Sequence, residues 1–547
     1  MKSSVSLIDR LVQASLLLVP VAYGIVSLSY GQDANWDLRN YHWYNPYAFL
    51  GGRLGHDLGA AHIATFYNPV IDLPLYLLGQ ALPARTVGFL LGAVHGLNYV
   101  ALFYVARAAL AGMGAIWPKT PTSVTAALVA FVGVTGGGHL GMVGTTFNDN
   151  LVSLALLGAA LVLVRAPHVW GEEPAPVTRG DVAWIMGAGT LVGFAVGLKL
   201  PTAPFAVGFC AAFLCVGGTF PHRILRAFLF GLGVLLGFAI AGGPWMWMLW
   251  QDYANPLFPY FNTLFRSPLG IAQDYRDTRF LPEGVLAWLS YPLVFSLDSK
   301  KVGEIAFQDF RILAAYGALV ITAGLILLRR IPRGALSASM RYLIAAAAIT
   351  YAAWLVVFGI YRYIVPLEML GPLLAVAAIS VWPMSARLKG VTIAALLAIL
   401  VLTGRRGEWT HTPWQEGPFV RIAAPAVADP AQAMALITGT DPVAWVIPAF
   451  PPQIPFLRIY GYLNVPEQTD SGLNKLARSR IEAHQGAFYV LFPEKERPNA
   501  VTSLGAYGLA ADFETCLPVE SNLGDYVRWC RVYRSEKLGP EPSANPN

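Results

Sequence analysis

The sequence predicts an α-helical protein that crosses a membrane many times and carries a small external α/β domain at its C-terminal end. Three observations predict it. First, 55% of the 547 residues are hydrophobic and only 13% are charged, about half the charged share of an ordinary soluble domain. Second, the apolar residues gather in runs long enough to cross a hydrocarbon core, which takes about 20 helical residues, and the mean hydropathy is +0.51. Third, the chain from about residue 404 onward returns to the mixed composition of a soluble domain.

Taken in order, the runs place about eleven spans, at 11–30, 86–108, 121–137, 150–165, 182–199, 201–218, 224–250, 309–328, 341–360, 363–382 and 388–403. Pro69, Pro74 and Pro83 interrupt the stretch at 70–85, which reads as a re-entrant or interfacial helix feeding the second span. The first run is long and lacks a small-residue cleavage site, so it reads as an anchor that stays. Lys2, Arg10, Lys119, Arg165 and Arg179 lie on one side, with Arg223, Arg226, the run from Arg329 to Arg341, Arg387 and Lys389. Positive loops stay in the cytoplasm, so the N-terminus is expected there, in a plasma or inner membrane. An odd number of spans puts the C-terminus outside. The net charge of +6 follows from this asymmetry and is no sign of a nucleic-acid partner.

Residues 1–403 thus form the membrane domain, with external loops at 31–72 and 251–307, and residues 404–547 form the external domain. In the latter, "AMALITG", "FLRIYGY" and "AFYVLF" read as strands and "GLNKLARSRIEAH" as a helix. "LGPEPSANPN" at the end reads as disordered. Cys516 and Cys530 flank a polar segment between strand-like runs. An external location would let them form a disulfide, the alternative being two buried thiols. Cys210 and Cys215 fall within a span and read as unpaired apolar residues.

The first external loop is the densest in candidate chemistry. It carries Asp33, Asp37 and Asp57 beside aromatic residues; Tyr41, Tyr44, Tyr47 and Phe49 would line an interfacial helix, with Trp36 and Trp43 at headgroup level. An Asp just after the first span, a Tyr four residues on, and then "AFLGGRLGHD" resemble the first external loop of the GT-C superfamily. Its members are membrane glycosyltransferases that use polyprenyl-phosphate-linked sugars. The resemblance implies that Asp37 is the catalytic base or metal-associated carboxylate, with Asp33 the second choice. Leu38 stands where the protein-mannosyltransferase-like branch carries Glu. The superfamily also implies a second acidic residue in a later external loop, which Asp149 in "TTFNDNLVS" would supply. Either Asp has a plainer use, as the N-cap of the helix that follows it.

Tyr41, His42 and Arg53 in the first loop are candidate substrate contacts. Lys199, ending the fifth span in "GLKLPTAP", and Arg362, between two spans in "GIYRYIVPLE", are candidate contacts for a lipid phosphate. Arg offers a bidentate fork and Lys a point charge, although either can also snorkel to the surface. Glu368 sits deeper in the membrane than Arg362. The charges Asp274, Arg276, Asp277, Arg279 and Glu283 in the loop 251–307 read as a solvated patch or as a segment closing over substrate. No cofactor is required by the sequence. His42, His56 and His62 lack the spacing of a zinc site, and a divalent ion between Asp37 and Asp149 is compatible with the chemistry.

The expected activity is transfer of a sugar from a polyprenyl-phosphate-type lipid donor to a glycan, lipid or protein acceptor at the external face, in contact with membrane lipids. A flippase or transporter of lipid-linked sugars would use the same charges, but the chain shows no clear internal repeat. A non-catalytic envelope assembly protein would leave the charges incidental.

Overall fold

The computed structural model describes residues 7–111, 120–166, 169–170, 177–273, 275–468 and 470–535. Lys2, Lys119, Asp274 and the segment 538–547 lie outside the described residues. Two compact units emerge, and each is interleaved in sequence. The first comprises 1–30, 88–243 and 276–409; the second comprises 31–87, 244–275 and 410–547.

The first unit is helical. Among the described residues, seven helices are long and apolar enough to cross a membrane: Leu7–Tyr30, Ala84–Leu110, Arg179–Leu198, Phe220–Ala241, Ala338–Val357, Tyr361–Ser380 and Ala386–Thr403. Helices also form over Thr122–Val134, Asp149–Arg165, Leu200–Cys215 and Arg311–Leu327, at four further expected spans, but these are shorter. The expected span 224–250 is broken. Its helix stops at Ala241 and a new one runs from Gly243 to Tyr253, because Gly242, Gly243 and then Pro244, which has no N–H, interrupt the ladder. A 13-residue apolar helix, Val285–Leu297, occupies part of the expected loop 251–307. Cys210 and Cys215 are unpaired.

Small residues set the closest packing in this unit. Gly189, Gly193 and Gly197 on Arg179–Leu198 face Gly233 and Gly237 on Phe220–Ala241, and a Cβ at any of the five would overlap the other helix's backbone. Four-residue spacing puts such glycines on one helix face, where backbones can meet without side chains between them. The fit fixes the end of Arg179–Leu198, and with it Lys199.

A buried polar network sets the turn before Asp149. Glu368 accepts hydrogen bonds from the backbone N–H groups of Gly138 (3.0 Å) and His139 (2.9 Å), and Asp309 accepts one from Gly137 (2.9 Å). Arg311 pairs with Asp309 and donates to the Val132 carbonyl at 2.7 Å. Two carboxylates thus take up three of the N-terminal N–H groups that the short helix Gly137–Gly141 cannot satisfy internally. They balance only one guanidinium, so the backbone donors are part of the network's charge compensation. Glu368, expected as a charge within the membrane, is a clamp on the chain leading to Asp149.

The second unit is built on a sheet. Strand Ala433–Ile437 runs parallel to both Phe456–Arg458 and Ala487–Pro493; Val527–Arg534 runs antiparallel to Ala487–Pro493 and to Leu509–Ala511. Helix Gly472–Ala483 buries Leu473, Ala477 and Ile481, at four-residue spacing, into a core with Leu436, Val490 and Phe492. The sulfurs of Cys516 and Cys530 are joined, with their Cα atoms 4.3 Å apart.

The first loop belongs to this unit, which the expected division at 403/404 separates from it. Gln32 and Asp33 pair with Thr412 and His411, and Leu58 bridges to Leu457 beside the sheet edge. Asp57 locks this pairing. It receives the Nε and Nη2 of Arg53 (both 2.8 Å), the Tyr44 hydroxyl (2.8 Å) and the Phe456 N–H (2.9 Å). Arg53 then reaches the carbonyls of Pro452 and Ile454. Arg53, a candidate substrate contact in the sequence, is therefore a tether: its donors are taken by the carboxylate and by the carbonyls of the C-terminal segment. A helix does form over Tyr44–Leu50, but Trp43 and Tyr44, expected to face outward, are buried in the unit. Residues 244–275 complete the unit, with the Trp245 indole donating to the Phe66 carbonyl at 2.9 Å and Tyr253 to that of Leu54 at 3.0 Å.

Asp57→Ala removes a buried carboxylate and leaves Arg53 buried beside its absence. Such a change costs about 3–5 kcal/mol. The variant is expected to lose a large part of its cooperative thermal unfolding in detergent and to gain protease cuts in residues 440–460. An unchanged melting profile would show that the tether is dispensable.

Candidate functional site

In the first unit, the sequence places opposite charges at matching helix ends. Asp149 opens the helix Asp149–Arg165, where the macrodipole favours an anion. Lys199 caps the C-terminal end of Arg179–Leu198, where it favours a cation. These two helices follow one another in the chain and pack together, so the start of one meets the end of the other. The Lys199 ammonium lies 2.7 Å from Asp149 Oδ1, with side chains 13% and 4% exposed. Asp149 is therefore no N-cap; Asn148 holds that position, and the Asp149 carboxylate faces the cation.

Arg362 joins them from the 3₁₀ turn Tyr361–Ile364, its Nη1 3.9 Å from Asp149 Oδ2. Its guanidinium lies over the ring of Phe147 at 4.5 Å, and over Tyr363 at 5.5 Å; Lys199 lies 5.7 Å from the same Tyr363 ring. Three of the residues singled out in the sequence thus converge, and two aromatic rings that were not singled out hold the cations in place. Two cations thus meet on one carboxylate. A small cleft borders Arg362, lined also by Gly138, Glu304, Phe307, Tyr361 and Trp409. The 276–283 segment contributes Asp277, whose carboxyl is held below its ordinary value by hydrogen bonds from Arg279, with the charge of Arg362 adding to the effect.

In the second unit, Asp37 begins a turn of π-helix, Leu38–His42, a wider coil that often marks functional positions. Asp37 stands at the N-cap position, yet its side chain makes no capping hydrogen bond. It is 8% exposed, and the Tyr41 hydroxyl donates to its Oδ2 at 3.3 Å. Asp33 has a different use. Its carboxylate accepts from the backbone N–H of Asn35 (3.0 Å) and from the Asn35 amide (2.8 Å and 2.9 Å), closing the turn after the pairing with His411. That makes Asp33 a turn organiser and leaves Asp37 the stronger candidate for chemistry.

His42 follows Tyr41, with ring centroids 4.1 Å apart, and its Nδ1 lies 2.8 Å from Asp72 Oδ1. Asp72 was not singled out in the sequence; a helix-starting pattern, "DLPLYLL", concealed it as an ordinary N-cap. Tyr67 meets Tyr41 edge-on at 5.3 Å. His62 is buried and its imidazole is held well below its ordinary value by burial, and then by the charge of Arg458, so it is a neutral packing group under Trp36. Among the described residues, no three His, Cys, Asp or Glu side chains gather around one point.

No protein-family model and no curated protein matches the chain. Solved structures do. The chain is similar to ArnT from Cupriavidus metallidurans, a structure bound to undecaprenyl phosphate, with 11% identity, a TM-score of 0.50, and 97% of this chain and 99% of that one covered. It is also similar to the apo oligosaccharyltransferase of Archaeoglobus fulgidus, at 14% identity and a TM-score of 0.46 over 90% of this chain and 71% of that one. At 11% identity the likeness to the ArnT structure concerns architecture, and it extends over nearly the whole chain. The protein is a multi-pass membrane protein with the GT-C fold.

Proposed function

We propose that the protein is a membrane glycosyltransferase that takes a sugar from a polyprenyl-phosphate-type lipid and gives it to an acceptor at the external face of the membrane. The observation that carries this reading is the convergence of Lys199 and Arg362 on Asp149. A lipid phosphate brings negative charge and an apolar tail. Two cations sharing one carboxylate, beside an apolar cleft, answer both needs. The fold adds support, since the similar ArnT structure is bound to undecaprenyl phosphate.

The roles follow from the chemistry. As the bond between sugar and phosphate breaks, negative charge grows on the leaving phosphate, and Lys199 and Arg362 stabilise it. Asp149 holds the two cations apart from solvent and in register. Asp37 takes the proton of the acceptor hydroxyl as it attacks the sugar. Tyr41, donating to Asp37, helps to aim one carboxylate oxygen.

Purified protein in vesicles, given a radiolabelled polyprenyl-phosphate hexose and an envelope extract as acceptor, is expected to transfer label. Failure with a broad set of such donors would remove the reading. Asp37→Asn keeps size and hydrogen bonding but removes basicity, and should lower transfer by about 10²–10⁴-fold with unchanged thermal stability. Asp33→Asn should do the opposite, lowering stability because its amide confronts the Asn35 donors. Equal, near-normal transfer in both would take the first loop out of the chemistry.

Lys199→Ala and Arg362→Ala should each raise the KM for the lipid donor about tenfold or more while the protein still accumulates. The expected loss corresponds to the 1.5–3 kcal/mol order of a charge-assisted hydrogen bond. An unchanged KM with reduced folding would make the trio structural. The external setting is tested separately. A reporter active only outside the cytoplasm, fused after residue 535, should be active, in keeping with a joined Cys516–Cys530 pair. Activity from a cytoplasm-only reporter at that position would reverse the orientation.

A further inference from the structure

We infer that the buried Asp72–His42 pair is a positioning device that fixes Tyr41, and through it the carboxylate of Asp37, for sugar transfer; the inference rests on the function proposed above.

Asp72 stands at the N-cap of the helix Leu73–Ala81, where an Asp side chain ordinarily accepts a backbone hydrogen bond worth about 1 kcal/mol. It makes no such bond. Its carboxylate turns instead to His42, 30 residues earlier in the chain, at 2.8 Å, and both side chains are only 2% exposed. Withdrawing a carboxylate from water is costly unless it is paired, so the arrangement gives up a cap in favour of holding one imidazole.

What the imidazole holds is Tyr41. The His42 ring packs against the Tyr41 ring at 4.1 Å, and Tyr67 closes on Tyr41 edge-on at 5.3 Å. Tyr41 in turn reaches Asp37 at 3.3 Å, beyond the usual length for a hydroxyl-to-oxygen hydrogen bond of about 2.7–2.8 Å. At that length the bond is a weak guide by its own strength, and the packing that holds the ring adds to it. The π-helical turn supplies the geometry, because its wider coil brings Asp37, Tyr41 and His42 together in six consecutive residues. Neither Asp72 nor His42 need touch the substrate: the pair acts through Tyr41.

A double-mutant cycle in the transfer assay separates positioning from mere support. Asp72→Ala is expected to lower kcat about 10–100-fold, the order that a displacement of about 1 Å costs, while the KM for the lipid donor changes less than about threefold. Tyr41→Phe should lower kcat about tenfold. The double variant should be no slower than Asp72→Ala alone, because both changes act on the same carboxylate through the same ring. Should Asp72→Ala not accumulate as folded protein, the isosteric Asp72→Asn takes its place in the cycle, with the same non-additivity expected at smaller amplitude. Independent effects that multiply, or a near-normal kcat in the Asp72 variant, would overturn the inference while a dead Asp37→Asn kept the glycosyltransferase. Absence of transfer by the unmodified protein would instead overturn the proposed function itself.

Discussion

A carboxylate withdrawn from water must be met by donors, and in this protein that need ties together stretches of chain that the sequence keeps far apart. Asp57 accepts from Arg53, Tyr44 and the backbone of Phe456, which is 399 residues away. Asp149 meets Lys199 and Arg362. Glu368 closes on Gly138 and His139, and Asp72 on His42. Each contact is one that a low-dielectric surrounding makes strong when complete and costly when broken. Hydrophobic burial alone, which is non-directional, would let helices slide and loops drift. The paired carboxylates choose one arrangement.

This explains which parts of the architecture were legible in the sequence. Helices such as Ala84–Leu110 and Phe220–Ala241 announce themselves by length and apolar content, because crossing a membrane demands both. The trio in the first unit was legible for a local reason: Asp149, Lys199 and Arg362 each stand at the end of a helix or in the turn beside one, where charge has few other uses. The strand Ala487–Pro493 was legible from its run of aromatic and β-branched residues, and Ala433–Ile437 from a short apolar run that ends at a glycine turn.

The rest depended on distance in sequence. That residues 31–87 fold onto 410–547 follows from pairings such as Gln32 with Thr412 and from the Arg53–Asp57 tether, and no periodicity carries such information. Arg53 illustrates the difficulty, since an arginine in a loop beside a membrane looks like a ligand for a phosphate until its donors are counted against nearby carbonyls. Asp72 illustrates the reverse. Its sequence context, an acidic residue before Leu-Pro and an apolar run, is that of a helix cap. Only the direction of its side chain separates it from one. Asp37 is masked in the same way, at the N-cap of a π-turn that it does not cap.

The two cations of the first unit differ in a manner that fits their positions. Lys199 is a compact charge at 2.7 Å from Asp149 and neutralises it directly. Arg362 stands off at 3.9 Å, with its planar guanidinium over Phe147. A guanidinium keeps its charge at any physiological pH and is weakly hydrated, so it can rest on an aromatic face and still present donors edgewise. An ammonium in that place would lose the planar fork and much of the stacking. Lys199 thus pairs closely with Asp149, while Arg362 stands farther off and borders the cleft. A group arriving with negative charge would meet a donor whose orientation the aromatic ring has already fixed, so little ordering would remain to oppose binding.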